Sequence, residues 1–189
     1  GEGEQPLADL VQAHLIEDLP LKALMPAKGI FSRHTYSAAS ETGFNQMSSL
    51  DRLPPPDYDR SFEQLAKLTP DKQFFPTLPI ELSRACWWQR PSGKIKSGCA
   101  FCNLNLQWEG YRYKPADQGL AEIDQLTSRH QTLSIAFTDN ILPIKSSAGF
   151  FDSLGKLNKD LRLFGEIRAT TPPRVLERMA VAGTKEVQI

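Results

Sequence analysis

From Leu78 to the last residue the chain alternates between two kinds of apolar pattern, and this limits its fold more than any other feature. Leu78-Pro-Ile-Glu-Leu-Ser-Arg84 reads as a strand. Pro115 opens a helix with Ala116, Leu120, Ile123 and Leu126 on one face. Thr132-Leu-Ser-Ile-Ala-Phe-Thr138 is a second strand, apolar enough to be buried on both sides. Phe150, Phe151, Leu154, Leu157 and Leu161 mark a second helix, and Leu163-Phe-Gly-Glu-Ile-Arg168 a third strand. Pro172 and Pro173 open a third helix that buries Val175, Leu176, Met179 and Ala180. Gly183 is its natural stop, and Val187-Gln-Ile189 begins a fourth strand. Strands alternating with helices imply an α/β fold, with a parallel sheet and right-handed crossovers.

The preceding segments read differently. Pro6 suits a first helical turn, and Leu7, Leu10, Val11, His14, Leu15 and Leu19 share one helical face, where His14 is a packing residue. Residues 20–77 carry no such periodicity. Leu53-Pro-Pro-Pro56-Asp57 must be extended, because each proline disfavours helix in the residue before it, and a short helix is expected near Ser61–Leu68. The divisions expected are 1–28, a linker over 29–77, and an α/β part over 78–189. With no initiator Met and a final strand that has no successor, both ends read as cut from a longer chain.

Charge narrows the function. Lys plus Arg and Asp plus Glu are each 22, a net charge of zero, so the basic field of a nucleic-acid binder is missing. No apolar run approaches the roughly 18 residues that cross a bilayer, and Gly1-Glu-Gly-Glu4 does not resemble a signal peptide. No nucleic-acid or membrane partner is therefore expected. Three cysteines are too few, and odd in number, for a disulfide scaffold. Grouped as they are, they point to a reducing compartment such as the cytoplasm and to a metal or redox task.

Those cysteines lie between the first strand and its helix: Cys86, twelve residues, Cys99, two residues, Cys102. The carboxyl end of a parallel strand is where α/β barrels place active sites, and soft thiolates suit zinc or an iron–sulfur cluster. Structural zinc wants four ligands, and neither a fourth cysteine nor any of His14, His34 and His130 lies in the loop. A [4Fe–4S] cluster held by three cysteines keeps one iron open for a substrate or cofactor. The residues favour such a cluster over zinc, and both over three ordinary buried thiols.

A strand ending in a first cysteine, followed by Cys99-Ala-Phe101-Cys102, resembles the radical S-adenosylmethionine (SAM) superfamily. Arg84-Ala-Cys86-Trp-Trp88, Cys99-Ala-Phe-Cys102-Asn-Leu-Asn105, Tyr111-Arg-Tyr-Lys114, Asp139-Asn-Ile-Leu142 and Glu166-Ile-Arg168-Ala resemble its cobalamin-binding members. Cys-Trp-Trp and Asp-Asn-Ile-Leu look most like those that mature ribosomally made peptides. The resemblance implies a partial (β/α) radical SAM barrel over 78–189, preceded by an irregular linker and by a remnant of a cobalamin-binding domain over 1–28. It implies that Cys86, Cys99 and Cys102 ligate a [4Fe–4S] cluster whose open iron takes SAM, and that Phe101 packs against the adenine. It further implies a 5′-deoxyadenosyl radical or methyl transfer to an unactivated carbon of a small molecule or peptide. The electron would come from a reductant protein such as flavodoxin or ferredoxin, and cobalamin would be bound by the full-length parent. The twelve residues between Cys86 and Cys99 exceed the family's usual spacing, and Asn103 stands where a glycine often follows the third cysteine.

Asp139 and Asn140, after the second strand, are expected either to contact SAM or to form a turn capping the next helix. Glu166 and Arg168 alternate onto one side of the third strand, as contacts to SAM or as an ion pair. Trp87 and Trp88 are expected to shield the cluster or simply to pack. Trp108, Tyr111, Arg112, Tyr113 and Lys114 are expected to pack the cysteine loop onto the sheet. The sequence identifies no residue acting on the substrate. The competing reading is a zinc or iron–sulfur module with structural duties alone.

Overall fold

Strands with an apolar residue at every second position pair side by side and bury one common face. The computed structural model describes residues 2–20, 45–68, 75–88, 90–92, 95–97, 99, 101–102, 110–142 and 144–189. Two compact units partition the chain, Gly1–Ser48 with Gln107–Glu109, and Ser49–Leu106 with Gly110–Ile189.

In the first unit, α1 (Glu4–Val11) runs into a π-helical turn, Gln12–Ile16. Pro6 is buried, whereas Leu7, Val11, Leu15 and Leu19 are exposed, so the apolar stripe lies outward within the described structure. His14 Nδ1 donates to Leu19 O at 3.0 Å. Glu2 is tied down at both ends. Its N–H donates to Asn45 O at 2.9 Å, and its carboxylate accepts from Met47 N.

The second unit holds β1 (Thr77–Ile80), β2 (Ser83–Arg84), β3 (Arg90–Ser92), β4 (Ile95–Ser97) and β5 (Arg112–Tyr113). Then come α3 (Ala116–His130), β6 (Ser134–Phe137), α4 (Ile144–Gly155), β7 (Arg162–Glu166), α5 (Pro173–Val181) and β8 (Thr184–Gln188); α2 (Asp59–Leu68) precedes them all. A four-stranded sheet runs in the order β1-β6-β7-β8, and every pairing is parallel. The alternation of elements thus gives the α/β architecture expected. Leu78, Ile80, Ile135, Phe137 and Leu163 form the buried face, packed with Ile123, Leu126, Phe150, Phe151, Leu154, Val175 and Met179. Each such large apolar side chain contributes about 1.5–3 kcal/mol on full burial.

Several expected elements differ in detail. The strand expected over 78–84 is two strands. β1 pairs with β6, and after Glu81-Leu82 the chain leaves the sheet for β2, which pairs antiparallel with β5. β6 is fully buried on one face only, since Ser134 and Ala136 alternate with Ile135 and Phe137 as half-buried positions. α4 starts at Ile144, earlier than its apolar residues suggested, and Leu161 belongs to the connection before β7. On α5, Val175 and Met179 are buried but Leu176 and Ala180 are exposed, because only one stripe of so short a helix meets the sheet. Gly183 has φ +106°, and a Cβ there would stand 2.1 Å from Leu161 O, so only glycine fits.

Residues 50–68, expected within a linker, pack on the second unit. Leu50 is buried, Tyr58 Oη donates to Pro79 O at 2.6 Å, Gln118 Nε2 donates to Leu53 O at 3.1 Å, and the Phe62 ring stacks on His130 at 4.4 Å. Residues 21–44 lie outside the described residues.

One buried ion pair stands inside this unit. Lys114 Nζ lies 2.7 Å from Glu122 Oε2, with side chains 4% and 1% exposed. Replacing Lys114 by Met strands the Glu122 carboxylate and is expected to cost about 3–5 kcal/mol in urea unfolding, whereas Lys114→Met combined with Glu122→Leu costs much less.

Candidate functional site

Parallel strands place all their carboxyl ends at one edge of the sheet, so the segments after β1, β6 and β7 converge there. The first delivers Cys86, the second Asp139 and the third Arg168.

The approach to Cys86 is tightly specified. Glu81 and Arg84 form a two-pronged ion pair at 2.8–3.0 Å. Leu82 N–H donates to Asp139 Oδ2 at 3.1 Å, and Leu82 O accepts from Lys114 N at 2.7 Å. Ser83 Oγ donates to Asp139 Oδ1. Ala85, buried, then adopts φ +68° immediately before Cys86. A left-handed alanine costs about 1 kcal/mol and persists only where its surroundings impose it.

Cys86 Sγ accepts from Trp88 N at 3.4 Å. Burial pushes the Cys86 thiol upward. The Trp88 N–H and the Arg168 charge oppose this shift, while Cys99 and Cys102 reinforce it. All three cysteines are free thiols, and Cys86 lies within electrostatic reach of Cys99, Cys102 and Arg168. Among the described residues, no three His, Cys, Asp or Glu side chains converge tightly enough to hold a metal ion. Cys99 and Cys102 share one turn, closed by Cys102 N–H to Cys99 O at 3.1 Å, and Phe101 at its tip is 94% exposed.

The long spacing between Cys86 and Cys99 is explained by backbone pairing. β3 and β4 form an antiparallel ribbon with Arg90 opposite Ser97, Pro91 opposite Lys96 and Ser92 opposite Ile95. The chain therefore goes out and returns to its starting point.

Arg168 lies over the Trp88 ring, with Cζ 3.9 Å from the centroid, and 5.7 Å from that of Trp87; the two indoles meet edge to face. A cation over an indole gains about 0.5–2 kcal/mol and holds the guanidinium beside Cys86. Arg168 Nε and Trp87 Nε1 are both buried without a hydrogen-bond partner among the described residues. Two such donors beside the Cys86 thiol fit an electron-rich, sulfur-bearing group in kind.

The other expected site residues have different partners. Glu166 ends β7, its carbonyl accepts from Leu142 N, and no ion pair joins it to Arg168 among the described residues. Asp139 is 1% exposed, and its oxygens face Leu82 and Ser83 rather than capping α4. Trp108, Asn103 and Asn105 lie outside the described residues. Tyr111 to Lys114 secure the cysteine segment as expected, because β5 pairs with β2. Ser83 was not singled out by the sequence. It bonds Asp139; the Tyr111 hydroxyl, whose pKa is raised chiefly by burial, donates instead to Ile141 O at 3.4 Å. The sequence carried no local signal for it, since Ser83 stands between Leu82 and the charged Arg84.

No helix among the described residues is long and apolar enough to cross a membrane. Compared with known protein families, curated proteins and solved structures, the chain matches none.

Burial pushes the Asp139 carboxyl up to about 6, with the Glu81 charge adding to the rise and the Ser83 and Leu82 donors opposing it. A group raised from 3.8 to about 6 on folding contributes stability that is full below 3.8 and lost as pH rises through about 6. Relative to Asp139→Asn, the native chain is thus expected to lose about 3 kcal/mol between pH 4 and pH 7, measured by urea unfolding across that range.

Proposed function

We propose that this chain carries the cluster-binding part of a radical SAM enzyme of the cobalamin-binding subgroup. The observation that carries this reading is the neighbourhood of Cys86. Cys86 stands at one end of a parallel sheet beside a cation and two hydrogen-bond donors that lack acceptors among the described residues, with Cys99 and Cys102 in electrostatic reach.

Cys86, Cys99 and Cys102 hold a [4Fe–4S] cluster. Metal binding and local folding are commonly coupled, so uptake of the cluster would draw the thiols together. Once bound, the cluster supplies the electron that SAM chemistry requires. The chain's own residues prepare its surroundings. Trp87 and Trp88 exclude water on one side, and Arg168 places positive charge against sulfur. Phe101 offers an open aromatic face for an adenine. Glu166 provides an acceptor for hydroxyl or ammonium groups at the strand end, and Arg168 a partner for a carboxylate. The reaction is radical generation or methyl transfer at an unactivated carbon, on a peptide or small molecule, with an electron-carrier protein as reductant in a reducing cytoplasm.

The test is anaerobic reconstitution with iron and sulfide, followed by reductant and SAM. The expected result is visible iron–sulfur absorption and a paramagnetic resonance signal that changes when SAM is added. Cys99→Ala is expected to lose cluster uptake. Stoichiometric zinc with no cluster, or a full cluster in the Cys99→Ala chain, overturns the assignment; the zinc result points instead to a structural metal module.

A further inference from the structure

Asp139 stands at the cysteine end of the sheet, with its carboxylate turned onto the chain that leads to Cys86. Its side chain is 1% exposed, one oxygen accepts from Leu82 N at 3.1 Å and the other from Ser83 Oγ. With both oxygens engaged inside the protein, it has no free edge for a ligand.

What it holds is the corner where the chain leaves the sheet. β1 ends at Ile80, and β2 contributes only Ser83 and Arg84, too short a ribbon to define its own position. The Glu81–Arg84 ion pair lies within the segment. Anchorage comes from Lys114 N on one side and from Asp139, fixed by β6, on the other. Ser83 is three residues from Cys86, and the only residues between them are Arg84 and the left-handed Ala85. We propose that Asp139 is the positioning residue of the first cysteine: by gripping Leu82 and Ser83 it imposes the turn at Ala85 and sets the direction of the Cys86 thiol.

A carboxylate suits this task because both its oxygens accept, and its two partners both donate. Asn of the same shape turns an amide donor toward one of them. The role deepens the function proposed above and rests on Cys86 being a ligand there, but it can be measured on the chain without metal.

The experiment compares the native chain with Asp139→Asn and with the milder Ser83→Ala, which keeps the Leu82 bond. Alkylation by iodoacetamide is followed at Cys86, Cys99 and Cys102 by peptide mass spectrometry, alongside near-ultraviolet circular dichroism of the packed Trp87–Trp88 pair. In Asp139→Asn the Cys86 rate is expected to rise about tenfold relative to the other two cysteines, the scale of one lost hydrogen bond to a charged acceptor. Ser83→Ala gives a smaller rise of the same kind, and the indole signal falls with it. An unchanged Cys86 rate in both variants overturns the proposal. So does equal acceleration of all three cysteines in Ser83→Ala, which signals general loosening. If the native chain takes up no cluster but Asp139→Asn frees Cys86, the cluster reading fails and the positioning role stands. If both chains take up the cluster equally and Cys86 does not respond, the positioning role fails and the cluster reading stands.

Discussion

Phe137 from β6 meets Phe150 and Phe151 from α4 edge to face, with ring centroids 6.3 Å apart, and this contact fixes a crossover helix beneath the centre of the sheet. Ile135 and Leu163 extend the same face, and Leu154, Val175 and Met179 cover it. Edge-to-face aromatic contacts add about 0.5–1.5 kcal/mol beyond the area they bury. Their structural effect is larger than that sum. With the strands held in register, their carboxyl ends stand about 4.8 Å apart, and whatever follows each strand must emerge at the same place.

The cysteine corner depends on that delivery. Nothing in the two-residue β2 could place Cys86 by itself. A carboxylate from the end of β6, a peptide N–H from Lys114 and a guanidinium from beyond β7 act on it from neighbouring elements. Lys114 is in turn held by Glu122 on α3, so a helix on the buried face reaches the site through one ion pair.

The sequence made the alternation of strand and helix legible because apolar side chains recur with period two in Ile135 and Phe137 and with helical spacing in Ile123 and Leu126. It did not reveal where β1 stops. Leu78 to Arg84 keeps alternating, but the peptide groups of Leu82 are taken by Asp139 and Lys114, and no local pattern encodes partners that lie 57 and 32 positions along the chain. The start of α4 was missed because Lys145-Ser-Ser-Ala-Gly149 carries almost no apolar signal. At the candidate site, the sequence singled out the three cysteines and Arg168, and the structure places Arg168 within electrostatic reach of Cys86. Asp139 was legible as a residue of interest, but its orientation was not, since that depends on which donors lie across the strand boundary.

The ribbon of β3 and β4 has a consequence for how such loops are compared. Its two feet, Arg90 and Ser97, are cross-strand partners, so the ends of the ribbon stand one ladder rung apart whatever its length. Adding or removing residues in opposed pairs would lengthen or shorten the finger while leaving its base untouched. Counting positions between two thiols is therefore a poor ruler wherever the intervening chain folds back on itself, and a search pattern with a fixed gap will overlook loops of this build.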